Sequence, residues 1–152
     1  MNSLNSIFKF HKINNFISIA GQPGKTEFKT VAANKFDLVI NIRTDEEMDS
    51  LFDEKNIVES LGMKYFQINM SLDNPREDSF HRFYELLTQH NGKKIFIHCK
   101  ANKRVSAFTA AYLIIKNKIS EPDGFNLIYN IWEPTDNWLK FIEDRIKQYK
   151  QL

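Results

Sequence analysis

The sequence predicts an α/β sandwich, with a central, mostly parallel sheet of four to five strands and helices on both faces. Three observations carry that expectation. Asp37-Leu38-Val39-Ile40-Asn41-Ile42 and Lys94-Ile95-Phe96-Ile97-His98 are strand-length runs, and they are too uniformly apolar for strands with one wet face. The stretches between such runs repeat apolar residues at helical spacing. The chain has 152 residues, 42% hydrophobic and 13% aromatic, enough to fill a core. No repeat or low-complexity linker divides it, so residues 1–152 read as one domain.

Taken in order, Phe16-Ile17-Ser18-Ile19 ends a short strand or hairpin, and Gly21-Gln22-Pro23-Gly24 is a turn combining permissive Gly with φ-locked Pro. Thr26 to Asn34 puts Phe28, Val31 and Ala32 on one helical face. The apolar run from Asp37 is followed by an acidic loop, Thr44 to Asp49. A helix over about Asp53 to Leu61 stops at Gly62, a residue suited to a left-handed cap. Tyr65-Phe66-Gln67-Ile68 is a strand. The next helix carries the strongest start signal, with Asn74 as N-cap, Pro75 at the first position and Glu77 closing a capping box. Phe80, Phe83, Tyr84 and Leu87 form its core face. After the Asn91-Gly92 turn and the strand to His98, helices follow over about Arg104 to Lys118, Asp123 to Ile131 and Asp136 to Tyr149.

Composition excludes several function classes. Lys and Arg number 21 against 19 acidic residues, a net charge of +2, with no basic run that would track a nucleic acid. The single cysteine, Cys99, excludes an internal disulfide framework and a multi-cysteine metal site. No apolar run approaches the roughly 20 residues of a membrane span. The stretch from Met1 to Ala20 mixes Asn, Lys and His among its apolar residues, unlike a signal peptide. The expectation is a cytoplasmic protein with neither nucleic acid nor membrane as partner.

The chemistry concentrates where the strand ending at His98 runs through Cys99-Lys100-Ala101-Asn102-Lys103 into a helix containing Arg104, Val105 and Ser106. A helix N-terminus offers unpaired N–H groups and partial positive charge, which makes it an anion site. A cysteine at its mouth is expected to be an exposed thiolate of depressed pKa, readily oxidised by peroxide. Arg104 supplies a planar charged fork, and Lys100 and Lys103 raise the local potential. Asn102 tolerates the left-handed backbone that turns successive N–H groups inward as a nest.

His98-Cys99, Arg104 and Ser106 after a strand resemble the signature loop of cysteine-dependent tyrosine and dual-specificity phosphatases. The chain is similar, more closely, to the bacterial beta-lactamase-hydrolase-like phosphatases. Ala20-Gly21-Gln22-Pro23, Asp37 to Arg43, and Ile131-Trp132-Glu133-Pro134 through Trp138 to Ile142 carry the likeness along the chain. The resemblance implies a cysteine-phosphatase-like sandwich needing no cofactor and no metal. It also implies phosphorylated protein or a small phosphorylated metabolite as substrate, and a loop that takes oxyanions such as phosphate, sulfate or vanadate.

In that reading Cys99 is the nucleophile, Arg104 and the loop from Lys100 to Ser106 bind the phosphoryl oxygens, and Ser106 donates a hydrogen bond to the sulfur. His98 orients the loop, Arg43 makes a structural salt bridge with an acidic neighbour, and Asp73 is the general acid, with Asp78 as the other candidate. Only four residues separate Cys99 from Arg104, one fewer than the family's usual loop. Two registers are therefore open. Keeping Cys99 and Ser106 aligned puts Val105 where the phosphate-binding arginine belongs, whereas keeping Cys99 and Arg104 aligned gives a short loop like that of rhodaneses. Two functions accordingly stand beside phosphatase: a rhodanese-like sulfurtransferase and a non-catalytic phosphate-binding module.

Overall fold

A computed structural model of the protein describes residues 3–151. After a 3-10 turn at Leu4–Ser6 the elements are β1 (His11–Lys12), β2 (Ile17–Ala20), α1 (Glu27–Ala33), β3 (Leu38–Ile42), α2 (Asp45–Met48), α3 (Glu54–Ser60) and β4 (Lys64–Ile68). They continue with α4 (Glu77–Gln89), β5 (Ile95–His98), α5 (Lys103–Ile115), α6 (Glu121–Ile131) and α7 (Asp136–Lys150). The sheet has five strands in the order β1-β2-β5-β3-β4. Only β1 is antiparallel to its neighbour; β5 lies parallel between β2 and β3. The expected sandwich with a mostly parallel sheet and helices on both faces is what forms.

Side chains alternate across a strand, so β5 sends Ile95 and Ile97 to one face and Phe96 and His98 to the other. The first face holds the larger core, in which Ile40, Ile42, Ile97 and Cys99 meet Phe80 and Phe83 of α4, Phe108 of α5 and Trp138 and Ile142 of α7. Every residue of α5 except Lys103 is buried, as expected of a helix apolar on all sides. The second face carries a smaller core, where Phe28 and Val31 of α1 and Val58 of α3 pack on Val39 and Phe96. Gly62 has φ of +89°, the left-handed cap expected after α3.

Two local expectations fail for tertiary reasons. Helix α4 starts at Glu77, not at Asn74, and Arg76 occupies the cap with no side-chain hydrogen bond to it. The Glu77 carboxylate is drawn across to Arg145 of α7 at 2.7 Å, and Arg76 pairs with Asp78 at 2.9 Å, so no capping box closes. Conversely, the acidic loop after β3 contains the helical turn α2. Its capping box is formed by Thr44 and Glu47, whose side chain and backbone groups bond reciprocally.

Gly21 fixes how the turn after β2 meets the segment beyond β5. A Cβ there would lie 2.7 Å from the backbone carbonyl of Lys100 and 2.7 Å from the ring of Phe8. Gly21→Ala is expected to destabilise the fold by about 1–3 kcal/mol, read as a lowered midpoint in urea unfolding. An unchanged midpoint would show that this approach is loose.

Candidate active site

Strand β5 ends by hydrogen bonding Cys99 N to the Ala20 carbonyl at 3.3 Å. The loop that follows is tied down from the neighbouring turn, with Gln22 N donating to Lys100 O at 2.9 Å and Ala101 bridging Gly21. Asn102 has φ of +64°, the left-handed conformation expected of it, and its carbonyl accepts from Ser106 N at 3.0 Å to begin α5. Its amide Nδ2 donates to Lys9 O at 2.9 Å, which fastens the loop to the N-terminal segment. Lys100 is exposed and Lys103 half-buried, its Nζ lying 5.7 Å from the centroid of the Trp132 ring.

The Cys99 side chain is 1% exposed, which corrects the expectation of an exposed thiol. The alternation that sends Ile97 into the larger core sends Cys99 the same way, so the sulfur lies at the floor of the loop. The Arg104 guanidinium, itself buried, is held charged against that burial by the Glu47 carboxylate and by the nearby Cys99. Arg104 Nη1 donates to Glu47 Oε1 at 2.8 Å and to the Met70 carbonyl at 2.9 Å, and Nη2 donates to Glu47 Oε2 at 3.0 Å. Its Nε is buried and has no hydrogen-bond partner among the described residues. Val105 is fully buried in the larger core. Of the two candidate positions, Val105 is therefore packed into the core, while Arg104 carries its guanidinium to Glu47 and the Met70 carbonyl.

Glu47 joins this arginine to a second one. Arg43, at the end of β3, donates from Nε to Glu47 Oε2 at 3.1 Å and from Nη1 to Gln22 Oε1 at 2.9 Å. The expected salt bridge of Arg43 is thus with Glu47, one helical turn on. The hydrogen bond from Arg104 holds the Glu47 carboxyl down at about 2, against the opposing effect of burial and with help from Thr44. A depressed carboxyl stabilises the fold above its ordinary pKa and loses that contribution as pH falls through the folded value. Glu47→Gln is expected to cost about 2 kcal/mol at pH 7, below the range for fully buried pairs because the carboxylate is partly wet. The gap to the wild type should close between about pH 5 and pH 2; a gap independent of pH in urea titrations would show that the charge is not responsible.

Ser106 is placed otherwise than expected. Its hydroxyl donates to the Lys103 carbonyl at 2.9 Å and accepts from the Trp132 indole at 3.1 Å, so its proton is directed away from the sulfur. The hydroxyl thereby ties the start of α5 to the end of α6. His98 points to the opposite face of the sheet, with Nδ1 3.1 Å from the Cys99 carbonyl and Nε2 2.6 Å from Glu54 Oε2. Asp73 is exposed and, with Leu72, Lys103, Trp132 and Trp138, lines a cavity of about 420 Å³ beside the start of α5. The Trp138 indole holds the Leu72 carbonyl at 2.7 Å and so anchors the segment that carries Asp73. Asp78 is exposed, and Arg76 holds its carboxyl below the ordinary value.

Sequence reasoning missed Glu47, Glu54 and the side-chain role of Gln22. The signals existed. Thr44 and Glu47 have capping-box spacing, Arg43 and Glu47 are four apart, and Glu54 falls on the same helical face as Ile57 and Val58. Among the described residues no cluster of three His, Cys, Asp or Glu side chains could hold a metal ion, and no helix is long and apolar enough to cross a membrane.

No protein-family model matches the chain. A beta-lactamase hydrolase-like protein of Agrobacterium fabrum is 31% identical over 96 residues, 61% of this chain. Those residues make up only 22% of that relative, so the chain corresponds to about a fifth of its length. Among solved structures, a phosphatase candidate of the DUF442 group from Shewanella putrefaciens superposes with a TM-score of 0.86 at 24% identity, over 96% of both chains. PTPMT1 in complex with PI(5)P superposes with a TM-score of 0.81 at 16% identity, over 93% of this chain and 97% of the other. The resemblance drawn from the motifs is met at the level of fold: this is the sandwich of the protein-tyrosine-phosphatase-like proteins.

Proposed function

We propose that the protein is a cysteine-dependent phosphatase that hydrolyses phosphomonoesters through a cysteinyl-phosphate on Cys99. One observation carries the reading: the Arg104 Nε, buried and without a partner, lies beside a sulfur at the N-terminus of a thirteen-residue helix. An orphaned charged donor in a buried place is costly unless something arrives to take it. A phosphoryl oxygen does so, while the N–H groups of the left-handed loop take the other equatorial oxygens. Glu47 and the Met70 carbonyl hold the far side of the guanidinium and so aim the Nε edge.

In the first step the Cys99 thiolate attacks phosphorus in line, the S–P bond forms, and the P–O bond to the leaving group breaks with a proton supplied by Asp73. In the second step water attacks phosphorus, Asp73 takes its proton, and the S–P bond breaks to give inorganic phosphate and the thiolate. Acid catalysis is worth about 10²–10⁴-fold, so Asp73→Asn should slow an alkyl phosphate by that order. It should slow p-nitrophenyl phosphate, whose leaving group needs little protonation, far less. Equal losses on both substrates would remove Asp73 from the acid role.

The proposed substrate class includes both phosphorylated protein and phosphorylated small molecules, a reading supported by the PI(5)P in complex with PTPMT1, which shares the fold. The test is turnover of p-nitrophenyl phosphate by the purified protein, blocked competitively by vanadate. Oxyanion binding without turnover would leave a phosphate-binding module instead. The short Cys99–Arg104 spacing supports one other reading, a persulfide-carrying sulfurtransferase. Thiosulfate:cyanide transfer faster than aryl phosphate hydrolysis would decide for it.

A further inference from the structure

Glu54 is a titratable side chain that the proposed reaction leaves unused, and it is 2% exposed in the first turn of α3. Carboxylates are almost never buried unless paired. Its Oε1 accepts from Gln22 Nε2 at 2.7 Å, and its Oε2 lies 2.6 Å from His98 Nε2. The other ring nitrogen of His98, which is fully buried, faces the carbonyl oxygen of Cys99 at 3.1 Å. A carbonyl can only accept, so Nδ1 must carry a proton to make that bond. Nε2 then needs a proton of its own to bond an ionised carboxylate. Burial pushes the Glu54 carboxyl up, but the charge and hydrogen bond of His98, with hydrogen bonds from Gln22 and Tyr65, outweigh it and hold the group below its ordinary value.

We infer that Glu54 is a positioning residue for the nucleophile. Its carboxylate keeps His98 donating from both ring nitrogens, and His98 in turn holds the Cys99 carbonyl and sets a buried positive charge behind the sulfur's own peptide. The inference rests on Cys99 being the working nucleophile. The peptide after Cys99 is trans, so a carbonyl held by His98 sends the Lys100 N–H the opposite way, away from the histidine. The groups facing the pair are few. Tyr65 comes from β4, Gln22 from the turn after β2 with Arg43 behind it, Asp53 and Lys55 flank Glu54, Asp45 stands beyond Tyr65, and α1 offers only the Phe28 ring, 5.9 Å from the imidazole centroid. Among the described residues no other carboxylate hydrogen-bonds or pairs with the imidazole.

The test follows thiolate absorbance at 240 nm against pH, with Cys99→Ser as the baseline. In Glu54→Gln the amide can still accept from Gln22 and can donate to a neutral His98, so the packing is kept and only the charge is lost. The midpoint of thiolate formation should rise by about half to one pH unit, and Glu54→Asp should restore part of the shift. Coincident titrations of folded wild type and Glu54→Gln would overturn the inference. Should Glu54→Gln not fold, nitrogen-15 shifts of the wild-type His98 ring decide: two protonated nitrogens at pH 7 support it, and a single one overturns it. Neither readout needs turnover. A wild type inert toward p-nitrophenyl phosphate but with the shifted midpoint fails the phosphatase reading alone; an active one with coincident titrations fails this inference alone.

Discussion

Cys99→Ser is expected to lower p-nitrophenyl phosphate hydrolysis on the order of 10⁴-fold or more, to the level of the uncatalysed background. A serine hydroxyl at this position keeps the shape of the thiol but stays protonated at neutral pH. Folding should survive. The thermal midpoint should move by only a few degrees, because the change replaces one small side chain by another of nearly the same size and leaves no cavity. The same variant should still bind vanadate or phosphate through the loop and Arg104. Residual turnover above a few per cent would move the nucleophile elsewhere, and no second cysteine exists to inherit the role.

Arg104→Lys is expected to cost about 10³-fold in kcat, as large an effect as a formally conservative change can have at such a site. Lysine offers one point charge where the guanidinium divides its donors between Glu47, the Met70 carbonyl and the vacant Nε. An ammonium drawn to Glu47 leaves nothing for the oxyanion. Because the loss falls on the transition state, kcat should drop more than KM rises. The matched measurement is Glu47→Gln, which keeps Arg104 but loosens its aim, and which should lose much less. If Arg104→Lys were as active as the wild type, the orphaned nitrogen would have no catalytic meaning and the proposed function would lose its main support.

How much was legible in the chain depended on length and isolation. β3 and β5 stood out because strands covered on both faces are uniformly apolar, and the helix beginning at Lys103 stood out because it is apolar all round. α2 was hidden, since four residues are too few to show a period. The start of α4 is not legible locally because a local cap competes with a long-range pair, and Arg145, 68 residues away, takes the Glu77 carboxylate. The loop register followed the same logic. Spacing alone leaves Val105 and Arg104 both open, and the packing of Val105 in the core and the reach of Arg104 to Glu47 are properties of the fold that spacing does not carry. The short bond from Arg43 to Glu47 lay within reach of sequence reasoning at four residues' spacing, whereas Glu54 and His98, 44 residues apart, meet only because β5 lies beside β3 and beneath α3.

The place of β5 in the sheet has a consequence for how the protein comes into being. β2 and β3 have no bonds to each other; residues 95–98 supply the partner for both. A nascent chain that has not yet released those residues holds two half-sheets with open inner edges, which invite wrong partners. The strand that leads into Cys99 is thus the keystone, and it arrives late from across a long stretch of sequence, a pattern associated with slow, non-local assembly. Ribosome-bound or truncated chains ending before α5 should therefore be protease-sensitive throughout, and catalytic competence should appear in the same step as global protection rather than ahead of it.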